Sequence, residues 1–224
     1  MEIIYEDNHI IIANKAAGEI VQGDKTGDRT LADDIKAYIK EKYAKPGAVF
    51  LGVVHRLDRP VSGLVVFART SKALARLNEM FRNGKVQKTY HAIVATPQPP
   101  LPEQEVALTH WLTRNERQNR AYAHDREVKG AKLARLDFRP IGRSERYTLL
   151  EVHLHTGRHH QIRCQLAAAG LPVKGDLKYG APRSNPDGSI CLHARRIAFE
   201  HPVSHQPVDV TAPYPALPLW QTFE

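Results

Sequence analysis

One polar stretch of the sequence places a carboxylate between two cations, directly before an apolar run. Asp58 lies between Arg56 and Arg59, and residues 60–63 lead into the β-type run Leu64–Ala68. A carboxylate near cations is biased toward its ionised form, and an ionised Asp on a rigid frame can act as a nucleophile or a general base. Charged turns before buried strands are common, so these residues alone favour an ordinary surface turn.

The composition indicates a basic protein with a sizeable core. Hydrophobic residues make up 42% of the 224 residues, which suits one domain or two lobes that share a core. The net charge of +8 favours a polyanionic partner, nucleic acid first. Ten Lys or Arg against five Asp or Glu in the basic segment Arg114–Arg146 supply +5 of that charge.

The cysteines, the apolar runs and the first residues of the sequence indicate the cellular compartment. The two cysteines, Cys164 and Cys191, show no CxxC spacing, so a disulfide framework or a thiolate metal site is not expected. No apolar run approaches the roughly 20 residues of a membrane span, and the first residues lack a signal-peptide pattern. We therefore expect a cytoplasmic protein.

Apolar spacing predicts the elements around Asp58. A strand, a tight turn and a strand are predicted over residues 3–13, and helices are predicted over residues 31–39 and 70–84. Residues 22–29 are rich in Gly, Asp and Lys and predict a mobile loop. Residues 23–48 as a whole predict an excursion outside the core.

The second half of the chain predicts further strands and one more helix. The proline-rich stretch Pro97–Pro102 predicts a hinge between two lobes. A helix is predicted to begin at Thr156 or Gly157, which places His159 and Arg163 on one face. Strands are predicted over residues 88–95, 106–113, 134–140, 147–155 and 190–199.

Other kinds of site have weaker support. His153, His155, His159 and His160 cluster in sequence, but no carboxylate or cysteine stands beside them at ligand spacing, so a zinc site is disfavoured. His55–Asp58 superficially resembles the kinase catalytic loop, but the order differs and no phosphate-binding glycine loop is present. GxSxG and GxGxxG are also absent. The remaining candidate is a cofactor-free site with one activated Asp.

Six short motifs follow one another along the chain: Asn14-Lys15-Ala16-Ala17-Gly18, His55-Arg56-Leu57-Asp58 with Ser62-Gly63-Leu64, Lys88-Thr89-Tyr90 with Ala92, Thr156-Gly157-Arg158 with His160-Gln161-Ile162-Arg163, Gly175-Asp176 with Tyr179-Gly180, and Leu192-His193-Ala194. Through these motifs the chain resembles the RluA-type pseudouridine synthase family over nearly its whole length. Val61 and Ala16 stand where the family usually has Thr and Pro, and neither departure removes a charged group.

The resemblance implies an α+β pseudouridine synthase fold, with a mixed, mostly antiparallel central sheet flanked by helices and loops, and with a catalytic cleft. Residues 1–224 are expected to form a single catalytic domain of two lobes around one sheet, without a separate N-terminal RNA-binding domain. The implied partner is ribosomal or transfer RNA. No cofactor, metal or membrane is implied, and a monomer is expected.

The resemblance also assigns catalytic roles. Asp58 is implied as the nucleophile of uridine isomerisation, and attack on the uracil ring and attack on ribose C1′ both remain open. Arg163 is implied as the cation that keeps Asp58 ionised and aimed. Tyr90 is implied to stack on the uracil and to assist proton removal from C5.

Three more residues are implied as substrate-binding. Arg56 is expected to fill the place of a uridine that has left its stack, Leu192 to form an apolar wall, and Lys88 to accompany Tyr90 on its strand. The basic segment Arg114–Arg146 is a hypothetical clamp on phosphates, supported by its charge. The alternative function is a non-catalytic RNA-binding or chaperone module on the same fold, which has no need of Asp58.

Overall fold

The computed structural model describes residues 1–23 and 27–224. The predicted mobile loop at residues 22–29 therefore falls partly outside the described residues. The described chain divides into two compact units, Met1–Gln87 with Ala194–Pro215 and Lys88–His193 with Ala216–Glu224. The proline-rich stretch at residues 97–102 lies within the second unit, so the prediction that it separates two lobes is wrong.

The described residues form the following elements in chain order: β1 (Glu2–Glu6), β2 (Ile10–Lys15), α1 (Leu31–Lys42), β3 (Gly52–Val53), β4 (Ser62–Ala68), α2 (Ser71–Arg82), β5 (Gln87–Ala95), β6 (Val106–Asn115), β7 (Arg120–His124), β8 (Lys132–Arg143), β9 (Tyr147–Leu154), α3 (Gln161–Ala168), the 3-10 helix Leu177–Tyr179, β10 (Leu192–Glu200), β11 (Pro207–Thr211) and α4 (Pro218–Gln221). Every long predicted strand and helix has a counterpart among them. Within the described chain, no helix is long and apolar enough to cross a membrane.

The first unit is built on strands in the order β1, β2, β4 and β10, with β3 paired to β4 and β11 paired to β10. Strands β1 and β2 pair antiparallel because the hairpin at residues 3–13 returns the chain on itself, and β4 pairs antiparallel with the other edge of β2. Ile10 and Ile12 of β2 pack with Leu64 and Val66 of β4 against Leu77 of α2. This core carries the loop that contains Asp58.

Helix α1 corrects one prediction. Leu31, Ile35 and Ile39, which recur at helical spacing, are at most 1% exposed. Thr30 begins the helix with a capping box, in which its hydroxyl accepts from Asp33 N and the Asp33 carboxylate accepts from Thr30 N. The prediction that residues 23–48 lie outside the core is therefore wrong, because this stripe is fully buried.

The second unit is built on strands in the order β5, β9, β8, β6 and β7, and each of these neighbours pairs antiparallel. Helix α3 lies against β6 and β7. A cluster of Leu112, Ala121, Ala134, Cys164 and Tyr179 packs these elements together. This unit therefore fixes α3, which carries Arg163, to the β6–β7 hairpin.

Helix α3 begins later than predicted. The Thr156 hydroxyl accepts from Arg135 N and donates to Gln161 Oε1 at 2.8 Å, which holds this segment on β8. His160 has a left-handed φ of 51°, so the helix begins only at the next residue. His159 precedes the helix, and the prediction that it shares a helix face with Arg163 is wrong.

Candidate active site

Asp58 lies in the irregular loop between β3 and β4 and is half-buried. Its backbone carbonyl accepts from Val61 N at 3.0 Å, which closes a turn into β4. At the other end of the loop, the His55 ring stacks on Phe81 with a centroid distance of 4.7 Å, and His55 Nε2 accepts from Val66 N at 2.9 Å. The loop that presents Asp58 is thus fastened at both ends to the core of the first unit.

Lys15 is a buried cation next to this loop, and sequence reasoning missed it as a site residue. Its side chain is 1% exposed, and Nζ donates to the carbonyls of Ala16, Glu19 and Arg59 at 2.8, 2.8 and 3.2 Å. Burial lowers the pKa of Lys15 to about 8, while the negative charges of Glu19 and Asp58 oppose that fall. Lys15 therefore both anchors the loop and interacts electrostatically with Asp58. The signal that could have found it was its place in the first motif.

The two arginines beside Asp58 differ in the structure. The Arg59 side chain forms an ion pair with Asp28 at 2.5 Å, and its carbonyl accepts from Gly18 N at 2.8 Å. The sequence assigned no task to Arg59, and the structure gives it one in holding the loop. Arg56 is exposed, and its role toward RNA stays a prediction.

Arg163 is buried on α3, with 4% of the residue exposed. Its Nε and Nη2 donate to Oδ2 and Oδ1 of Asp176 at 2.6 and 2.9 Å. Two parallel bonds of this kind fix the guanidinium plane as well as its position. Sequence reasoning missed Asp176, although the Gly175-Asp176 motif was the available signal. The carboxylate of Asp176 neutralises the positive charge of Arg163, so the guanidinium contributes oriented hydrogen-bond donors more than net charge. The predicted pairing of Arg163 with Asp58 stays a prediction.

The other predicted residues of the second unit lie on β5 and at the start of β10. Lys88 and Tyr90 are two apart on β5, so their side chains share one face. Tyr90 is 8% and Leu192 is 3% exposed. Burial lowers the pKa of Lys88, whose Nζ lies beside Gly157. Lys88 is therefore a partly desolvated cation next to the tyrosine.

His160 is buried between α3 and the 3-10 helix. Its Nδ1 is 2.9 Å from the Tyr179 hydroxyl oxygen. Burial, helped by the positive charge of Arg163, lowers the pKa of His160 from 6.5 to about 2. The imidazole is therefore neutral in the folded protein at ordinary pH.

The low pKa of His160 predicts a loss of stability in acid. Below pH 6.5 the unfolded chain binds a proton at His160 that the folded protein does not, so the free energy of unfolding falls as pH falls from 6.5 toward 2. His160→Asn keeps an acceptor atom and suits the left-handed backbone, but does not titrate. Between pH 7 and pH 5 we expect wild type to lose about 2 kcal/mol relative to this variant, measured by urea denaturation. Parallel pH profiles for the two proteins would contradict the assignment.

Comparisons with known proteins agree with the motifs. A family model described as RNA pseudouridylate synthase matches residues 9–168. A ribosomal large subunit pseudouridine synthase D of Xylella fastidiosa is 34% identical, over 96% of this chain and 66% of that protein. A tRNA pseudouridine synthase C of Vibrio cholerae is 30% identical, over 95% of this chain and 90% of that protein.

Solved structures show the fold. The human RNA pseudouridylate synthase domain containing 4 superposes with a TM-score of 0.77 at 21% identity, over 96% of this chain and 89% of that one. The predicted α+β pseudouridine synthase fold is therefore confirmed. The family model covers well over half of the chain, and it includes the motifs that contain Asp58, Tyr90 and Arg163. The chain belongs to the RNA pseudouridylate synthase family, as its motifs predicted.

Proposed function

We propose that this chain isomerises uridine to pseudouridine in structured ribosomal or transfer RNA, with Asp58 as the nucleophile. The observation that carries the proposal is the intact Asp58 motif in a member of this family, on a loop that Lys15 and His55 anchor. In the reaction the bond between N1 and C1′ breaks, the uracil turns, and C5 bonds to C1′. C5 loses its proton and N1 gains one, so atoms and charges balance within the substrate.

Each catalytic residue has a property that suits its proposed role. Asp58 is half-buried on an anchored loop, where a carboxylate can attack either the uracil ring or C1′. Tyr90 is a buried tyrosine that can stack on the base and assist loss of the C5 proton. Arg163 holds its donors in the plane set by Asp176 and can direct them at a carboxylate.

The substrate-binding residues are proposed in the same way. The exposed guanidinium of Arg56 can stack in the space that a flipped uridine leaves. Leu192 supplies apolar surface, and Lys88 supplies a positive charge next to Tyr90. We propose that the protein acts as a monomer in the cytoplasm, which fits the two free, buried cysteines, Cys164 and Cys191.

The β6–β7 hairpin is the proposed phosphate clamp. Thr113–Arg117 and Tyr122 line a groove of about 540 Å³ that carries the side chains of Arg114 and Arg117. The guanidinium of Arg120 lies 5.2 Å from the centre of the Tyr122 ring. Arginines can bind phosphates and an exposed aromatic ring can stack on a base, so this groove suits single-stranded or looped RNA.

Tritium release tests the proposal. Ribosomal and transfer RNA are transcribed with uridine labelled at C5, so that each isomerisation releases one tritium to water. We expect wild-type protein to release label from at least one of the two RNA classes, and nucleoside digestion to show the matching amount of pseudouridine. Tight RNA binding without any release from either class would favour the alternative, a non-catalytic RNA-binding module.

A further inference from the structure

Tyr179 joins three parts of the second unit around Arg163. It lies in the 3-10 helix Leu177–Tyr179, three residues after Asp176, and is 5% exposed. Tyr179 N donates to the Asp176 carbonyl at 3.0 Å, and Ala181 N donates to the same carbonyl at 3.0 Å. The carboxylate that holds Arg163 and the Tyr179 ring are therefore carried by one tight turn.

The Tyr179 ring lies against two guanidinium groups. The guanidinium carbon of Arg163 is 5.1 Å from the ring centre, and that of Arg120 on β7 is 5.2 Å from it. Cation–π contacts at this distance are strongest where water is excluded, as around this buried ring. Arg163 is thus held in its plane by Asp176 and packed from the side by Tyr179.

The Tyr179 hydroxyl is bonded on two sides. It accepts from Ala121 N of β7 at 2.8 Å. It is also bonded to His160 Nδ1 at 2.9 Å, where the neutral imidazole with its proton on Nε2 accepts from the hydroxyl. Burial raises the pKa of Tyr179 to about 12, so the hydroxyl keeps its proton. His160 directly precedes α3, so the hydroxyl ties the start of the helix that carries Arg163 to the β6–β7 hairpin.

The hairpin is fastened to the same region at its tip. Lys178 Nζ donates to the carbonyls of Gln118 and Asn119 at 3.4 and 3.1 Å, and His159 Nε2 is 2.9 Å from Asn119 Oδ1. These bonds hold the tip, and Gln165 Nε2 of α3 lies 3.3 Å from the Leu108 carbonyl and 3.0 Å from His110 Nδ1 of β6. The bonds of Tyr179 run from β7 to His160, directly before α3.

We propose that Tyr179 is a positioning residue, which sets Arg163 for catalysis by fixing its side chain and its helix against the β6–β7 hairpin. The inference rests on the proposed function, because it concerns Arg163 as a residue of the catalytic site. It requires that loss of the Tyr179 hydroxyl slow the chemical step more than it weakens RNA binding. A displacement of about 1 Å at a catalytic group can cost on the order of 100-fold in rate.

Tyr179→Phe tests the proposal, because it keeps the ring beside Arg163 and removes only the hydroxyl. We expect kcat to fall about 10- to 100-fold while KM for RNA changes less than about threefold. For Tyr179→Leu, which also removes the ring, we expect a larger fall in kcat. Tyr147→Phe at the start of β9, a matched loss of a tyrosine hydroxyl in the same unit, is expected to keep the wild-type kcat.

A second readout does not depend on activity. The Nε–H signal of Arg163 in a ¹H–¹⁵N spectrum, assigned by its loss in Arg163→Lys, is expected to shift and to exchange faster with water in Tyr179→Phe. If wild type shows no turnover, the proposed function fails, and this signal still decides whether Tyr179 positions Arg163. An unchanged Nε–H signal together with unchanged kcat, or a defect confined to KM, would overturn the proposal.

A third variant covers the case in which Tyr179→Phe does not fold. His160→Gly suits the left-handed backbone, keeps the Tyr179 hydroxyl and removes the imidazole that is bonded to it. We expect it to lower kcat about 3- to 10-fold and to move the Arg163 Nε–H signal in the same direction. If His160→Gly is folded and leaves both quantities at their wild-type values, Tyr179 does not act through this bond and the proposal is wrong.

Discussion

Asp58→Asn is expected to lower tritium release from uridine-labelled RNA by about 10⁴-fold or more. The amide has nearly the shape of the carboxylate but carries no negative charge and is a very poor nucleophile. The backbone bond from Val61 N to the carbonyl of residue 58 does not involve the side chain, so the loop is expected to keep its conformation. Single-turnover assays with excess enzyme measure the chemical step directly.

A matched control separates lost chemistry from lost charge. Asp209→Asn removes an exposed carboxylate of the same unit, which is paired with Arg196, and is expected to leave the rate unchanged. RNA affinity, measured by filter binding, is expected to be similar for both variants and wild type. If Asp58→Asn kept a rate within tenfold of wild type, Asp58 would not be the nucleophile.

Gly63→Ala is expected to cost about 2–5 kcal/mol of the free energy of unfolding. Gly63 has a φ of +114°, and an added Cβ would lie 2.5 Å from the amide nitrogen and 2.8 Å from the carbonyl carbon of Ala194. Backbone atoms of a central strand cannot rotate away from such a contact. Overpacking costs about 1–3 kcal/mol and a left-handed backbone about 1–2 kcal/mol, and the two effects act together here. Urea denaturation followed by circular dichroism measures the loss.

Gly84→Ala is the control that measures the cost of a left-handed backbone without a steric clash. Gly84 has a φ of +67°, and an added Cβ would meet nothing within 4 Å. We expect it to cost about 1 kcal/mol, the conformational penalty without the clash. Equal losses for the two variants would show that the contact with Ala194 is not the reason why Gly63 is needed. That contact places Gly63 of the Asp58 motif directly against Ala194 of the Leu192-His193-Ala194 motif.

The sequence predicted what depends on neighbours along the chain. The hairpin at residues 3–13 and helices α1 and α2 follow from apolar spacing and caps, which act over a few residues. The motifs identified the family, because each motif combines residue types that have a specific side-chain chemistry or a specific backbone conformation. Gly63 is one example, since its place in a motif reflects a contact that only glycine permits.

The start of α3 and the burial of α1 could not be predicted in this way. Thr156 has the residue type of a helix cap, but its hydroxyl is bonded to Arg135 of β8, which lies 21 residues earlier. Residues 23–48 are charged and glycine-containing overall, yet the apolar stripe of α1 is buried. Both outcomes depend on partners that local patterns do not contain.

The sequence by itself determined the family, the class of reaction that the family implies and the residue types at the candidate site, because short motifs contain all three. Only the tertiary structure decided which partners hold them. It buried Lys15 among three carbonyls beside the Asp58 loop, gave Arg163 a carboxylate partner in Asp176, and set Tyr179 against Arg163 and β7. The physical reason is that a buried charge needs partners from several segments, and folding alone brings those segments together.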